Sequence, residues 1–342
     1  MKPEAAFIAG VVALACAVAA IATASGATSR QAAHPRVGKV LARIPIAPGG
    51  GGLALGEGAV WSTTNDVSTL TRIDPDSNAV VASIQVARRN ACPEFPRSCG
   101  EVAAGNGAVW VSHPSDNTMS RIDARTNRVT ATIPVGPQPT AIGITPGAVW
   151  VANIGGPSVS RIDPATNQVV ATISVGPARA CCSEHMPLTV GGGAVWVGVP
   201  SLNRVVRIDP STNSISATIK LSELRSGQPC GFLAAMQGAV WVAGAHCPSS
   251  SGDGVVTRID ANTNSVTRIV RGFSAPIGLA LGFGSLWVGD LDAKTIDRVN
   301  RRKGRVAARL RVGGIPIVLG VGFGSVWVRD DGGRVLRIKP QR

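Results

Sequence analysis

Tyrosine is absent from the 342 residues, phenylalanine occurs six times and histidine four times. Without aromatic side chains interleaved among its basic residues, the chain lacks the stacking surface of a single-strand nucleic-acid platform or a sugar-binding cleft. Chemical motifs are missing too. No G-x-S-x-G elbow, H-E-x-x-H pair, P-loop or EF-hand loop occurs, which leaves the enzyme and switch classes built on those motifs without support. Neither a C-x-x-C pair nor a paired-histidine spacing is present, which weighs against a metal site. No long polar linker divides the chain after its N-terminal region, so the bulk of it reads as one domain.

What the chain does have is repetition. All seven tryptophans (Trp61, Trp110, Trp150, Trp196, Trp241, Trp287 and Trp327) follow a glycine by three residues, and the glycine suits a tight hairpin turn with positive φ. An alternating segment ending in Arg-Ile-Asp comes next, as in Arg161–Asp163, decaying to Arg298–Asn300 and Arg337–Lys339 in the last two copies. A turn such as Pro164–Asn167 follows, with Asn at a left-handed position that Gly304 fills in the sixth copy. Four short strands per copy and Trp-to-Trp spacings of 40 to 49 residues fit a propeller blade, and the period-two alternation excludes helical repeats. The strict register of Trp and Arg-Ile-Asp assigns both to packing between blades.

The third copy, with Trp150-Val151-Ala152-Asn153, Ser158-Val159-Ser160 and Ala165-Thr166-Asn167-Gln168-Val169-Val170-Ala171-Thr172-Ile173, resembles the YVTN-type propeller repeat. The Trp strand followed by Arg-Ile is also similar to the streptogramin B lyase-like (virginiamycin B lyase-like) propellers. Both resemblances imply an all-β, seven-bladed β-propeller. The first group is largely extracytoplasmic and functionally diverse, and the second includes a magnesium-dependent carbon–oxygen lyase. Where lyase-like blades often carry Trp-Phe-Thr-Glu, this chain has Trp110-Val111-Ser112-His113, so no catalytic residue carries over by motif. No cofactor is evident, and magnesium enters only with the lyase resemblance.

At the N-terminus, Lys2 precedes a charge-free run from Ala5 to Ala24, closed by Ala22-Thr23-Ala24. Residues 1–24 read as a signal peptide or a signal anchor, residues 25–36 as a disordered linker and residues 37–342 as the propeller. Cys16 lacks a lipobox around it. Lys39–Ile46 repeats the pattern of a fourth strand, while the chain stops after the third strand of the seventh copy. The two ends should therefore pair and close the ring.

Insertions interrupt the spacing at 88–101, 177–187, 221–231 and 245–255. Blade topology puts all four on one face, which marks it as the working side. The remaining six cysteines lie in these insertions: Cys92, Cys99, Cys181, Cys182, Cys230 and Cys247. An even number in an exported chain reads as disulfides, with Cys92–Cys99 and Cys230–Cys247 expected and Cys181 and Cys182 a vicinal pair or two thiols. On the same face fall Glu101, Glu184, His185 and His246 and the ring of residues three places after each Trp, which includes Thr64, His113, Asn153, Asp290 and Asp330. These are the ligand-binding candidates, able to grip a polar or cationic group.

Charge is uneven: the net value is +14, and residues 294–342 hold thirteen basic side chains against Asp297, Asp330 and Asp331. Arg305, Arg309 and Arg311 alternate along an outer strand, either as edge charges that discourage association or as a surface for anionic envelope polymer, lipid headgroups or nucleic acid. Together these features describe a monomeric exported module of the cell envelope that binds an unknown protein, polymer or small molecule at the loop face. The alternatives are a metal-assisted lyase on that face and an extracytoplasmic binder of nucleic acid or anionic polymer.

Overall fold

The computed structural model of the chain describes residues 37–48, 51–64, 68–87, 100–177, 185–221, 229, 231–236, 238–244 and 254–341. Seven four-stranded antiparallel sheets are arranged as blades. Blade one runs outward from the axis as Leu53–Gly56, Ala59–Thr63, Thr69–Asp74 and Ala79–Gln85. Blades two to six repeat this order, and residues 35–342 form one compact unit. Among the described residues no helix is long and apolar enough to cross a membrane.

The two faces of the ring differ because the strands alternate in direction. One face carries the hairpins joining inner to second strands and third to outer strands, and these are short. Two successive positive φ angles form the first hairpin, as at Asn106 and Gly107 (55° and 74°), which matches the strand twist. Blade three differs, since Pro146 cannot adopt a positive φ and only Gly147 does (72°), as a type II turn requires. The opposite, loop face holds the connections between blades and those between second and third strands, and the strand ends that flank the four long insertions lie there.

Packing explains the tryptophans. Second strands such as Ala148–Asn153 are buried on both sides, whereas outer strands such as Gln168–Ser174 alternate exposed and covered residues. Each Trp enters the space between two blades: Trp61 of blade one sits with Val109, Val111 and Ile122 of blade two. All seven are at most 1% exposed. Six of the indole N–H groups donate to an oxygen of the inner strand, as Trp110 does to the Gly105 carbonyl (3.2 Å).

The arginine of each Arg-Ile-Asp links neighbouring blades. Arg72, Arg121, Arg161, Arg207, Arg298 and Arg337 lie 5.1 to 5.9 Å from the indole centroid of their own blade's Trp, a cation–π distance. Five of them then donate to the turn Asn of the next blade, for example Arg72 Nη1 to Asn127 Oδ1 (3.0 Å) and Arg121 Nη1 to Asn167 Oδ1 (2.8 Å). The exceptions have local causes. Blade six carries Gly304 in place of the Asn, and Arg258 turns back to Thr267 of its own blade. Blade seven has no third-to-outer turn, so Arg298 takes the Gln341 carbonyl instead (2.7 Å).

Asn127 therefore has two duties, since it sits at φ 57° and accepts from Arg72. Asn127→Gly should lower stability by about 1–2 kcal/mol through the lost charged hydrogen bond. Asn127→Ala should lower it by about a further 1 kcal/mol for the left-handed backbone. Chemical denaturation of the two variants separates the duties, and equal loss would show that the left-handed backbone adds nothing to the side-chain bond.

Blade seven is completed from both ends of the chain. Gly38–Pro45 is its outer strand and pairs antiparallel with Arg334–Pro340, from Gly38 opposite Pro340 to Pro45 opposite Arg334. Arg337 carries the inter-blade link across this junction to Asn78 of blade one (3.0 Å). On the loop face, buried Arg329 donates to Ala47 O (2.9 Å), in the connection from the closing strand to blade one. Burial drives its pKa down to about 10. The other blades have Thr63, Ser112, Ala152, Gly198, Ala243 or Gly289 at this place. All strands of the ring, closing pair included, lie within residues 35–342, which makes this unit self-contained in folding.

Candidate functional site

Of the ring of residues three after each Trp, Thr64 is partly exposed and the other polar members do not open onto solvent. His113, Asn153, Asp290 and Asp330 are at most 1% exposed, and each is hydrogen-bonded to the third strand of its blade or to the segment entering it. Asp290 accepts from the backbone N–H groups of Ser274 (2.7 Å) and Ala275 (2.9 Å). Asp330 is held by Arg334 Nε (2.7 Å) and by the Arg334 N–H (2.9 Å). Asn153 donates to Ser158 and Ser160, and Thr64 pairs with the backbone of Thr69. Glu184, His246 and all of the cysteines, with the expected disulfides, lie outside the described residues.

His113 contacts Ser120 Oγ through Nε2 (2.8 Å), and that hydroxyl donates onward to Val86 O (3.1 Å). The imidazole is therefore the donor, neutral and protonated on Nε2. Burial lowers its pKa from 6.5 to about 4, against a weaker opposing pull from Asp116. Between these values the unfolded chain holds the extra proton, so His113 makes stability fall as pH drops from 6.5 towards 4, by about 3 kcal/mol in all. Below pH 4 its contribution levels off. Thermal unfolding across this range should show that slope, and His113→Asn should flatten it.

Glu101 and His185 do come together. Glu101 precedes the inner strand of blade two and His185 that of blade four, yet Nε2 of His185 lies 2.6 Å from Glu101 Oε1. Residues of non-adjacent blades can meet only over the axis, so this pair spans the channel mouth. Phe232, before the inner strand of blade five, stacks at a tilt on His185 with centroids 5.0 Å apart. It also packs on the cluster of Leu53, Ile317 and Val318 from blades one and seven. An ionisable pair, 10% and 13% exposed, and one partly buried phenyl ring thus cross the mouth from three blades. Among the described residues Glu101 Oε2 has no hydrogen-bond partner, and no three His, Cys, Asp or Glu side chains converge as a metal-ligand set.

This fold is shared with solved structures. Virginiamycin B lyase from Staphylococcus aureus superposes with a TM-score of 0.66 at 16% identity, over 88% of this chain and 99% of the lyase. The chain is a seven-bladed propeller with the fold of that lyase. Hydrazine synthase from Kuenenia stuttgartiensis aligns comparably, with a TM-score of 0.67 and 14% identity over 86% and 96% of the two chains. No family model matches, and no characterised protein matches in sequence. At such identities the likeness covers the fold and no side chain.

Phe232 escaped sequence reasoning because it follows a long insertion, where spacing from the landmarks is lost. A further concavity of about 480 Å³ lies on the tight-turn face between blades three and four, lined by Ile144, Pro146, Arg161, Val190 and Ser211 among others. It exists because Gly192 and Pro146 carry no side chain able to bridge the two turns, as Asn106 does between blades two and three (Asn106 Nδ2 to Thr145 O, 3.0 Å).

Proposed function

We propose that the chain is an exported binding module that takes a ligand with a cationic nitrogen at the channel mouth. The Glu101–His185 contact beside Phe232 carries this reading. A carboxylate held in a nearly buried place, with one oxygen occupied by an imidazole and the other without a partner among the described residues, presents negative charge where water is scarce. A neighbouring phenyl face adds attraction for a cation. The apolar run of residues 5–24 and its Ala22-Thr23-Ala24 end support export. Thermal-shift measurement with primary amines, quaternary ammonium salts and carboxylic acids tests the reading. Amines and ammonium salts should raise the melting temperature by a few degrees, and Glu101→Gln should remove the effect. A preference for carboxylic acids, or an unchanged response in Glu101→Gln, would refute it.

The same pair supports a second reading as a carbon–oxygen lyase resembling the streptogramin enzyme. An imidazole oriented by a carboxylate is a general base, suited to taking a proton from the carbon adjacent to the one that bears the ester oxygen, so that the C–H pair forms a C=C bond while the C–O bond breaks and the carboxylate leaves. Magnesium enters this reading only with the resemblance to the lyase, and the roles given to this chain's own residues are those of His185 and Glu101. Conversion of a cyclic depsipeptide ester to an unsaturated product, lost in His185→Gln, would favour this reading over simple binding.

A further inference from the structure

We propose that the tight-turn face of blades six and seven docks onto an anionic lipid bilayer, independently of the channel mouth on the opposite face. The first observation concerns the residue before each landmark glycine. In blades one and two it ties neighbouring turns together: Glu57 accepts from the Gly107 N–H (3.1 Å) and Asn106 donates to Thr145 O (3.0 Å). Blades six and seven have Phe283 and Phe323 there, at φ 50° and 48°, 46% and 38% exposed. A bulky residue at positive φ is uncommon, a phenyl group can make neither bond, and its exposure keeps apolar surface in water. Packing of the ring accounts for neither choice. Met236 of blade five, 37% exposed, extends the apolar arc.

Charge on this face has been edited in the same two blades. Blades one to five end their third strands in Asp74, Asp123, Asp163, Asp209 and Asp260, whose carboxylates cap the following turn. Blade six has Asn300, which still accepts from the N–H groups of Arg302 (3.0 Å) and Lys303 (2.9 Å). The turn is kept and the negative charge is removed. Blade seven has Lys339, directly opposite Lys39 of the closing strand, with both exposed. Like charges placed opposite each other repel unless an anion lies between or above them. Arg301 reaches both the Phe283 hairpin, through the Gly284 carbonyl (3.3 Å), and Met236 Sδ (3.1 Å), so basic and apolar groups form one patch. The acidic residues of this section are elsewhere: Asp297 is buried against Arg309, and Asp330 and Asp331 are on the loop face.

A third observation selects a bilayer over a soluble polyanion or a protein. The closing strand begins at Gly38 on this face, so the chain enters the propeller from the side of the phenylalanines, downstream of the apolar run of residues 5–24. Apolar tips that enter the acyl boundary while basic side chains meet headgroups are the arrangement of an interfacial membrane contact.

The test uses residues 35–342, which contain the whole ring, in cosedimentation with vesicles of phosphatidylcholine alone or mixed with phosphatidylglycerol. Binding should require phosphatidylglycerol. Phe283→Asn with Phe323→Asn introduces the residue that blade two already accommodates at this φ, so melting should be unchanged while vesicle affinity falls about tenfold or more. Lys39→Glu with Lys303→Glu should abolish binding, and Lys220→Glu, remote from the patch, should leave it unchanged. Equal binding to both kinds of vesicle, or undiminished binding by the Phe variant, would overturn the proposal. So would failure to bind either vesicle, or concentration-dependent dimerisation that the Phe variant abolishes, which would make the occupant a second copy.

Discussion

A chain that begins at Pro48 should lose its single cooperative melting transition and aggregate on heating. The deletion removes the outer strand of blade seven, with its register from Gly38 to Pro45, together with buried Val37 and Ile44 (1% and 4% exposed). It also removes Ala47, whose carbonyl receives Arg329, leaving a guanidinium in a buried site without that acceptor. Lost ladder bonds, apolar burial and the lost Arg329 bond together amount to at least about 5 kcal/mol, comparable with the whole stability of an ordinary domain. The uncovered edge at Arg334–Pro340 is then free to pair with another chain. Calorimetry and size-exclusion chromatography check this, and a shortened chain that melted in one transition at the original temperature would contradict it.

Trp110→Ala should lower stability by about 4 kcal/mol. The indole fills the space between blades two and three among Met119, Ile142, Val149 and Val151, and close-packed strands on both sides cannot collapse onto the gap. Arg121, which lies over the ring, loses its aromatic partner at the same time. Trp110→Phe should lose about half as much, since the ring is partly kept while the bond to Gly105 is not. Denaturant midpoints should shift without a change of slope. A slope change would mean that one blade had come apart from the ring.

The blades and their closure were legible because packing repeats its demand from interface to interface: a Trp to fill each one, a Gly to turn, and at five of them an Asn at positive φ that accepts from an arginine. The loop face was legible as a place and not as a site. His113, Asn153, Asp290 and Asp330 stand at strand ends, where periodicity no longer fixes direction, and the hydrogen bonds of the adjoining loops draw them inward. Asp290 is the clearest instance, since two backbone N–H groups of the incoming segment point at its carboxylate. Glu101 and His185 could be assigned to the correct face, yet only the ring geometry brings residues 84 positions apart into contact. Arg329 was readable in principle, being the one charged residue among seven equivalent positions.

The closing pair also determines how the ring responds to tension. Gly38 lies opposite Pro340, so both ends of the folded chain leave from the same edge of the same blade. A load applied between them acts along the interstrand hydrogen bonds, which lie across the strands in an antiparallel pair. Those bonds are therefore taken one after another, as in a zipper, and never all at once in shear. A ring that resists heat as a whole would yield to a small sustained pull at its ends, from blade seven outward, with Arg337 and Asn78 the next contact to part.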